Sequence, residues 1–175
     1  IAPAETTSDI DPEYLEEAIF YNRPMVEDGT IEYEFFYREG QLNAHPALDR
    51  LCLLMKPDGI RVHWLTDGKY ERTELAPDNE TIEPKNRLLP DNLPLMNNAW
   101  NQVRFSLQGD TIEVSLNSRP VYRRQLESTN HRRFGFFHFA EQEELLVRNV
   151  RWMGSWPKSL PDIAQQSLAI LETGA

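Results

Sequence analysis

Alternation of apolar and polar side chains is the dominant rhythm of this chain, and it predicts strands. In TIEYEFFYRE, Ile31, Tyr33, Phe35 and Tyr37 alternate with Glu32, Glu34, Phe36 and Arg38, the two-residue period of a strand with one buried face. LCLLMK and IRVHWLT flank Pro57-Asp58-Gly59, where proline presets one dihedral and glycine supplies a positive one. They predict a hairpin. NQVRFSLQ and TIEVSLN meet at Gly109-Asp110 and predict a second, with Val103, Phe105 and Leu107 on the apolar face of one strand and Ile112, Val114 and Leu116 on that of the other. RRFGFFHFA and ELLVRNVRWMG add two strands, and EAIFYN reads as an early one with a distant partner.

Helix signals are confined to the ends. Asp11-Pro12-Glu13 combines an N-cap, a first-turn proline and an acid near the positive end of a helix. Ser159 is placed to cap a helix in which Leu160, Ile163, Ala164, Leu168 and Leu171 share a stripe before Gly174. The Pro- and Asn-rich stretch between Ala76 and Trp100 reads as a long ordered loop with a short strand near Thr81. Many short strands with almost no interior helix predict an all-β fold, a two-sheet antiparallel jelly-roll sandwich with short terminal helices. Residues 1–158 are expected to form the sandwich. Residues 159–175 are expected to form a C-terminal helix or a linker to a neighbouring domain.

Composition narrows the function classes. A chain of 175 residues, 40% hydrophobic, has material for one well-buried core and not for two. Its 18 basic and 28 acidic residues leave a net charge of -10, which repels phosphate backbones and disfavours nucleic acid as a partner. Arg123, Arg124, Arg132 and Arg133 are the candidates for a basic patch, and on strand edges they read as guards against edge pairing. Cys52 is the single cysteine, which excludes an intrachain disulfide and a cysteine-rich zinc site, and its apolar surroundings mark it as a buried, inert thiol. No run approaches the roughly 20 apolar residues of a membrane span, and the start lacks the basic and apolar regions of a signal peptide. A first residue other than Met is expected of a processed chain or an excised domain.

Two stretches extend the reading. AWNQVRFSLQGDTIEVSLNSRPV and the closing FGFFHFAEQEELLVRNVRWMG resemble the corresponding strands of concanavalin A-like lectin and glucanase domains, a superfamily that includes laminin-G-like modules. YNRPMVEDGTIEYEFFYREG, followed by HPALDRL and HWLTDG, resembles a family of uncharacterised domains in large exported planctomycete proteins. The likeness covers about residues 18 to 156. It implies a sandwich fold and an exported setting, periplasmic or extracellular, beside neighbouring domains. It implies no catalytic residue.

The candidate chemistry follows from parity. Glu32 and Glu34 lie two apart on one strand, roughly 7 Å by strand rise, near the separation of paired carboxylates in glycoside hydrolysis. The retaining glucanases of the superfamily carry three acids on this strand, whereas Phe36 and Arg38 follow here. Ile60, Val62 and Trp64 share a face expected in the core, and Arg61 and His63 share the opposite, exposed one. Arg38, His45, Asp49, Arg50 and His63 would form a shallow sugar-binding groove, with Tyr70 and Arg72 at its rim, if the Ile31 and Ile60 strands are neighbours. The other reading of Asp49 and Arg50 is a capped turn or local pairing, with His45 exposed. His45, His63, His131 and His138 lack metal-ligand spacing, and His138 reads as a satisfied histidine on a half-buried strand.

Asp58-Gly59, Asp67-Gly68 and Asp78-Asn79 have the turn oxygens of a calcium site, chemistry that ordinary turns share. Asn79-Glu80-Thr81 is a glycosylation sequon. Two functions remain: a non-catalytic lectin-like module that binds a glycan or a protein surface, and a jelly-roll glycoside hydrolase or lyase using Glu32 or Glu34. The first expects a ligand-sized groove without a close acid pair. The second expects one of these acids in a cleft with a raised pKa.

Overall fold

The computed structural model describes residues 16–24, 28–40, 44–66, 79–90, 92–139 and 146–154. They form two antiparallel sheets. The six-stranded sheet runs, in spatial order, β1 (Glu16–Pro24), β10 (Arg133–Phe139), β3 (His45–Leu48), β4 (Leu51–Lys56), β5 (Gly59–Trp64) and β6 (Glu80–Thr81). The five-stranded sheet runs β11 (Val147–Gly154), β2 (Gly29–Tyr37), β7 (Ala99–Gln108), β8 (Thr111–Leu116) and β9 (Arg119–Gln125). This is the jelly-roll sandwich that the alternation predicts. Both expected terminal helices lie outside the described residues.

The inner faces build one core. Ile31, Tyr33, Phe35 and Tyr37 of β2, with Val103, Phe105, Leu107, Ile112, Val114 and Leu116 of the β7–β8 hairpin, meet Leu51, Leu53, Met55, Ile60, Val62 and Phe134 from the other sheet. Each large side chain so buried contributes about 1.5–3 kcal/mol relative to exposure. Trp64 faces the same core half-buried. The two expected hairpins close as Lys56↔Gly59 and Gln108↔Thr111. Gly59 takes φ 137°, a backbone conformation that L side chains rarely adopt, and the Arg87 guanidinium lies where a Cβ would stand.

The alternation does not announce β9. A register shift between Val114 and Ser115 disrupts its pairing with β8, so Val121 and Tyr122 are both buried as neighbours. Arg124 of β9 bonds Glu83 and Glu127 and lies 5.5 Å from the Trp64 ring centre, tying the edge of one sheet to β5 of the other. Of the four arginines expected at edges, Arg133 sits instead on the interior strand β10, bonded to Asp49.

The long connection into β7 is ordered over its described residues. Leu93 is buried in the core, and buried Asn101 bonds both the N–H and the C=O of Met96. The short strand near Thr81 is β6.

Candidate functional site

Among the described residues, those expected to converge around the β4–β5 hairpin do not form one site. Convergence required the Ile31 and Ile60 strands to be neighbours, and β2 and β5 belong to different sheets. His63 points away from the core as expected but is only 1% exposed. It lies with His45, Cys52, Leu54 and Phe137 in a second buried layer on the outer face of the six-stranded sheet. The Phe137 ring centre is 5.0 Å from that of His63 and 6.3 Å from that of His45. His45 Nδ1 accepts the Met55 N–H at 3.1 Å, which leaves the ring proton on Nε2. Burial, reinforced by the charges of Lys56, His63 and His138, holds the His45 pKa down at about 3.

The remaining expected ligands have separate structural partners. Asp49 turns between β3 and β4 at φ 54° and accepts bonds from Arg133 (2.9 Å) and the His131 N–H (3.2 Å). Arg50 donates to the Leu65 carbonyl at 2.8 Å. Arg38 follows β2 in the other sheet, 5.4 Å from the Phe36 ring centre. Tyr70 and Arg72 lie outside the described residues. The sequon Asn79 is 4% exposed and donates to the Trp64 carbonyl, so its amide is closed to glycosylation in the fold.

A different surface has the makings of a site. The outer face of the five-stranded sheet carries a hollow of about 770 Å³ whose lining side chains are all polar. Strand register lays them in transverse rows. Thr30, Ser106, Glu113 and Arg123 make one row; Arg151, Glu32, Arg104 and Ser115 make the next. Arg148, Glu34 and Gln102 make a third, and Phe36 opposite Trp100 makes a fourth. Gln108, Thr111 and Ser118 complete the hollow's wall.

Acids and bases pair along these rows. Arg123 bonds Glu113 at 2.5 Å, and Arg104 approaches Glu32 at 3.7 Å. Arg148 bonds Glu34 at 2.6 Å while its guanidinium lies 3.9 Å from the Trp100 ring centre. Trp100 in turn packs edge-on to Phe36, with ring centres 5.5 Å apart. The result is a wall of donors and acceptors ending in an aromatic pair.

This geometry separates the two expected acids. Glu32 lines the hollow, whereas Glu34 is held by Arg148 and by Asn149, which donates at 3.0 Å. The Arg148 hydrogen bond, with help from Asn149 and Arg151, holds the Glu34 carboxyl below its usual range. That is opposite to what a general acid requires. Glu113, the other acid of the hollow, stands two strands from Glu32 and is itself bonded to Arg123. Among the described residues no group of three or more His, Cys, Asp or Glu is arranged to hold a metal ion. Asp58, one expected calcium ligand, is bonded to Arg61 at 2.9 Å.

Sequence reading missed the hollow, although part of the signal was present. The two-residue turn at Gly109-Asp110 fixes Gln108 opposite Thr111, Ser106 opposite Glu113 and Arg104 opposite Ser115. The polar half of the hairpin was therefore readable as one surface. That β2 lies alongside it is a long-range pairing with no local signature.

The fold is shared with sugar-related domains at low sequence identity. A carbohydrate-binding module, CBM66 from Bacillus subtilis, superposes with a TM-score of 0.53 at 13% identity, covering 81% of this chain and 83% of that one. Xenopus laevis galectin-Ib gives 0.52 at 10% identity over 78% and 98% of the two chains. Caenorhabditis elegans galectin LEC-6 gives 0.50 at 10% identity over 77% and 89%. At such identity the likeness is one of fold. No curated protein sequence matches the chain. The family model that matches is a domain of unknown function, over residues 10–159, and the chain belongs to that family, DUF1583_N.

Proposed function

We propose that this domain is a non-catalytic carbohydrate-binding module of a larger exported bacterial protein, holding a glycan against the open face of its five-stranded sheet. The observation that carries the reading is the all-polar hollow of about 770 Å³, whose side chains project from paired strands. Sugar hydroxyls each need a donor and an acceptor, and the rows of Gln, Ser, Arg and Glu supply both in alternation. Mounting them on strands lowers the entropy lost when a ligand is held. The Phe36–Trp100 pair adds an apolar surface at one end for the C–H face of a sugar ring. A protein surface, the other partner expected from sequence, would call for an apolar anchor at the centre of the patch, and the hollow has none.

Further support comes from the fold, which a carbohydrate-binding module and two galectins share. The likeness to domains of large exported proteins supports the multidomain setting. The test is a glycan array with the purified domain, with and without calcium, followed by reducing-sugar assays on each hit. Binding is expected to fall at least about tenfold in Arg104→Ala, the loss of one or two charge-assisted bonds. Hits should be retained without sugar release. Silence on every glycan would refute the reading, and sugar release abolished by Glu32→Gln would replace it with a hydrolase.

A further inference from the structure

We propose that the ligand of this face is an uncharged polysaccharide, an inference that rests on the face being the glycan site. The charges inside the hollow cancel. Its two guanidinium groups face its two carboxylates, Arg123 on Glu113 at 2.5 Å and Arg104 on Glu32 at 3.7 Å. In the adjacent row Arg148 is committed to Glu34 at 2.6 Å. Arg151, exposed on the edge strand, stands in register beside Glu32 and acts on the Glu34 carboxyl as well.

Recognition of a uronate or a sulfate needs a guanidinium that can turn two N–H groups to the anion. Here Arg123 already spends its Nε and one terminal nitrogen on the same Glu113 oxygen. An anion entering between the rows would also approach Glu32 and Glu113 and meet like charge. Hydroxyl groups meet no such conflict, because each Arg–Glu pair offers them a spare donor and a spare acceptor. The long-range field agrees, since a net charge of -10 slows the approach of a polyanion.

The test presents two panels to the intact chain by affinity electrophoresis and calorimetry. One holds neutral polymers (glucan, mannan, xylan, galactan and fructan). The other holds polygalacturonate, alginate and a sulfated galactan. A neutral polymer is expected to bind with an affinity that changes less than about threefold between about 0.05 and 0.5 M salt, because no ion pair with the ligand is there to be screened. The Glu32→Gln/Glu113→Gln double variant removes both carboxylates that face the arginines and is expected to gain polygalacturonate binding that salt abolishes. Preference of the unaltered domain for an anionic polymer, weakened about tenfold or more by the same salt change, would overturn the charge inference and leave the glycan site standing. Failure of both panels with a domain that retains its sheet circular dichroism would overturn the site and the inference together.

Discussion

The two outer faces of the sandwich obey the same strand alternation and end in opposite environments. On the six-stranded sheet the outward residues His45, Ala47, Cys52, Leu54, His63 and Phe137 are each at most 2% exposed. On the five-stranded sheet the outward residues Glu32, Gln102, Arg104, Ser106, Glu113 and Arg123 line an open polar hollow. One face therefore contributes to stability and the other is available for binding. A period of two tells which residues share a face. It does not tell whether that face meets water.

The sharpest way to break this comparison is to truncate one residue on each face. Phe137→Ala removes a fully buried ring and is expected to cost about 3–5 kcal/mol in urea unfolding. Ser106→Ala on the open face should stay within about 0.5 kcal/mol. A Phe137→Ala variant as stable as the parent would show that the outer layer of the six-stranded sheet is not a second core.

Next in size is the pH response. His45 has a folded pKa of about 3 against an ordinary value of 6.5. The unfolded chain takes up a proton below the higher value while the folded chain does not, so stability present above pH 6.5 is lost as pH falls toward 3. The slope from this one group approaches about 1.4 kcal/mol per pH unit. Lowered carboxyls such as Glu34 and Asp58 add their losses as pH falls through the ordinary carboxylate range, so the interval from about pH 6 to 5 lies mostly above them. His45→Asn keeps an acceptor for the Met55 N–H and removes the titration. Its urea midpoint is expected to fall less than the parent's across that interval.

A glycine gives a third contrast. Gly135 of β10 lies against β1, where an added Cβ would stand 2.5 Å from Phe20 Cδ1 and 2.6 Å from the Ile19 carbonyl oxygen. Gly135→Ala is expected to destabilise by about 1–3 kcal/mol through overpacking. Wild-type thermal stability in this variant would mean that β1 moves aside at little cost.

How much of this was legible depends on the range of the information. The inward sets of β2, β7 and β8 follow from alternation alone, and the two-residue turns follow from Pro57-Asp58 ahead of Gly59 and from Gly109-Asp110. The burial of His63 was half legible: β5 by itself alternates, but its partner β4 reads LCLLM, a continuous apolar run of the kind buried on both faces. Placing Cys52 opposite His63 would have carried the histidine indoors. The expected groove failed for a different reason. Arg38 and His63 are 25 positions apart in the chain and lie on different sheets, a fact of topology that no local pattern encodes. The hollow combines β2 with the β7–β8 hairpin, whose nearest strands are separated by the whole of the other sheet's β3 to β6.

The smallest expected effect lies between the two faces and has the opposite sign. The polar groups of the buried outer layer are bonded: His45 to the Met55 N–H and His63 to the Asn79 carbonyl. Tyr33, on the inner face of β2, is fully buried, and its hydroxyl has no hydrogen-bond partner among the described residues. Burial also drives its pKa well above the ordinary range, so the phenol stays neutral and its proton goes unused. The ring itself is well placed, edge-on to Phe136 with centres 4.8 Å apart and 6.2 Å from Phe134. Tyr33→Phe keeps those ring contacts and removes a desolvated group, so it is expected to stabilise the domain by about 1 kcal/mol in urea unfolding. A loss of about 1 kcal/mol or more would mean that a buried water satisfies the hydroxyl.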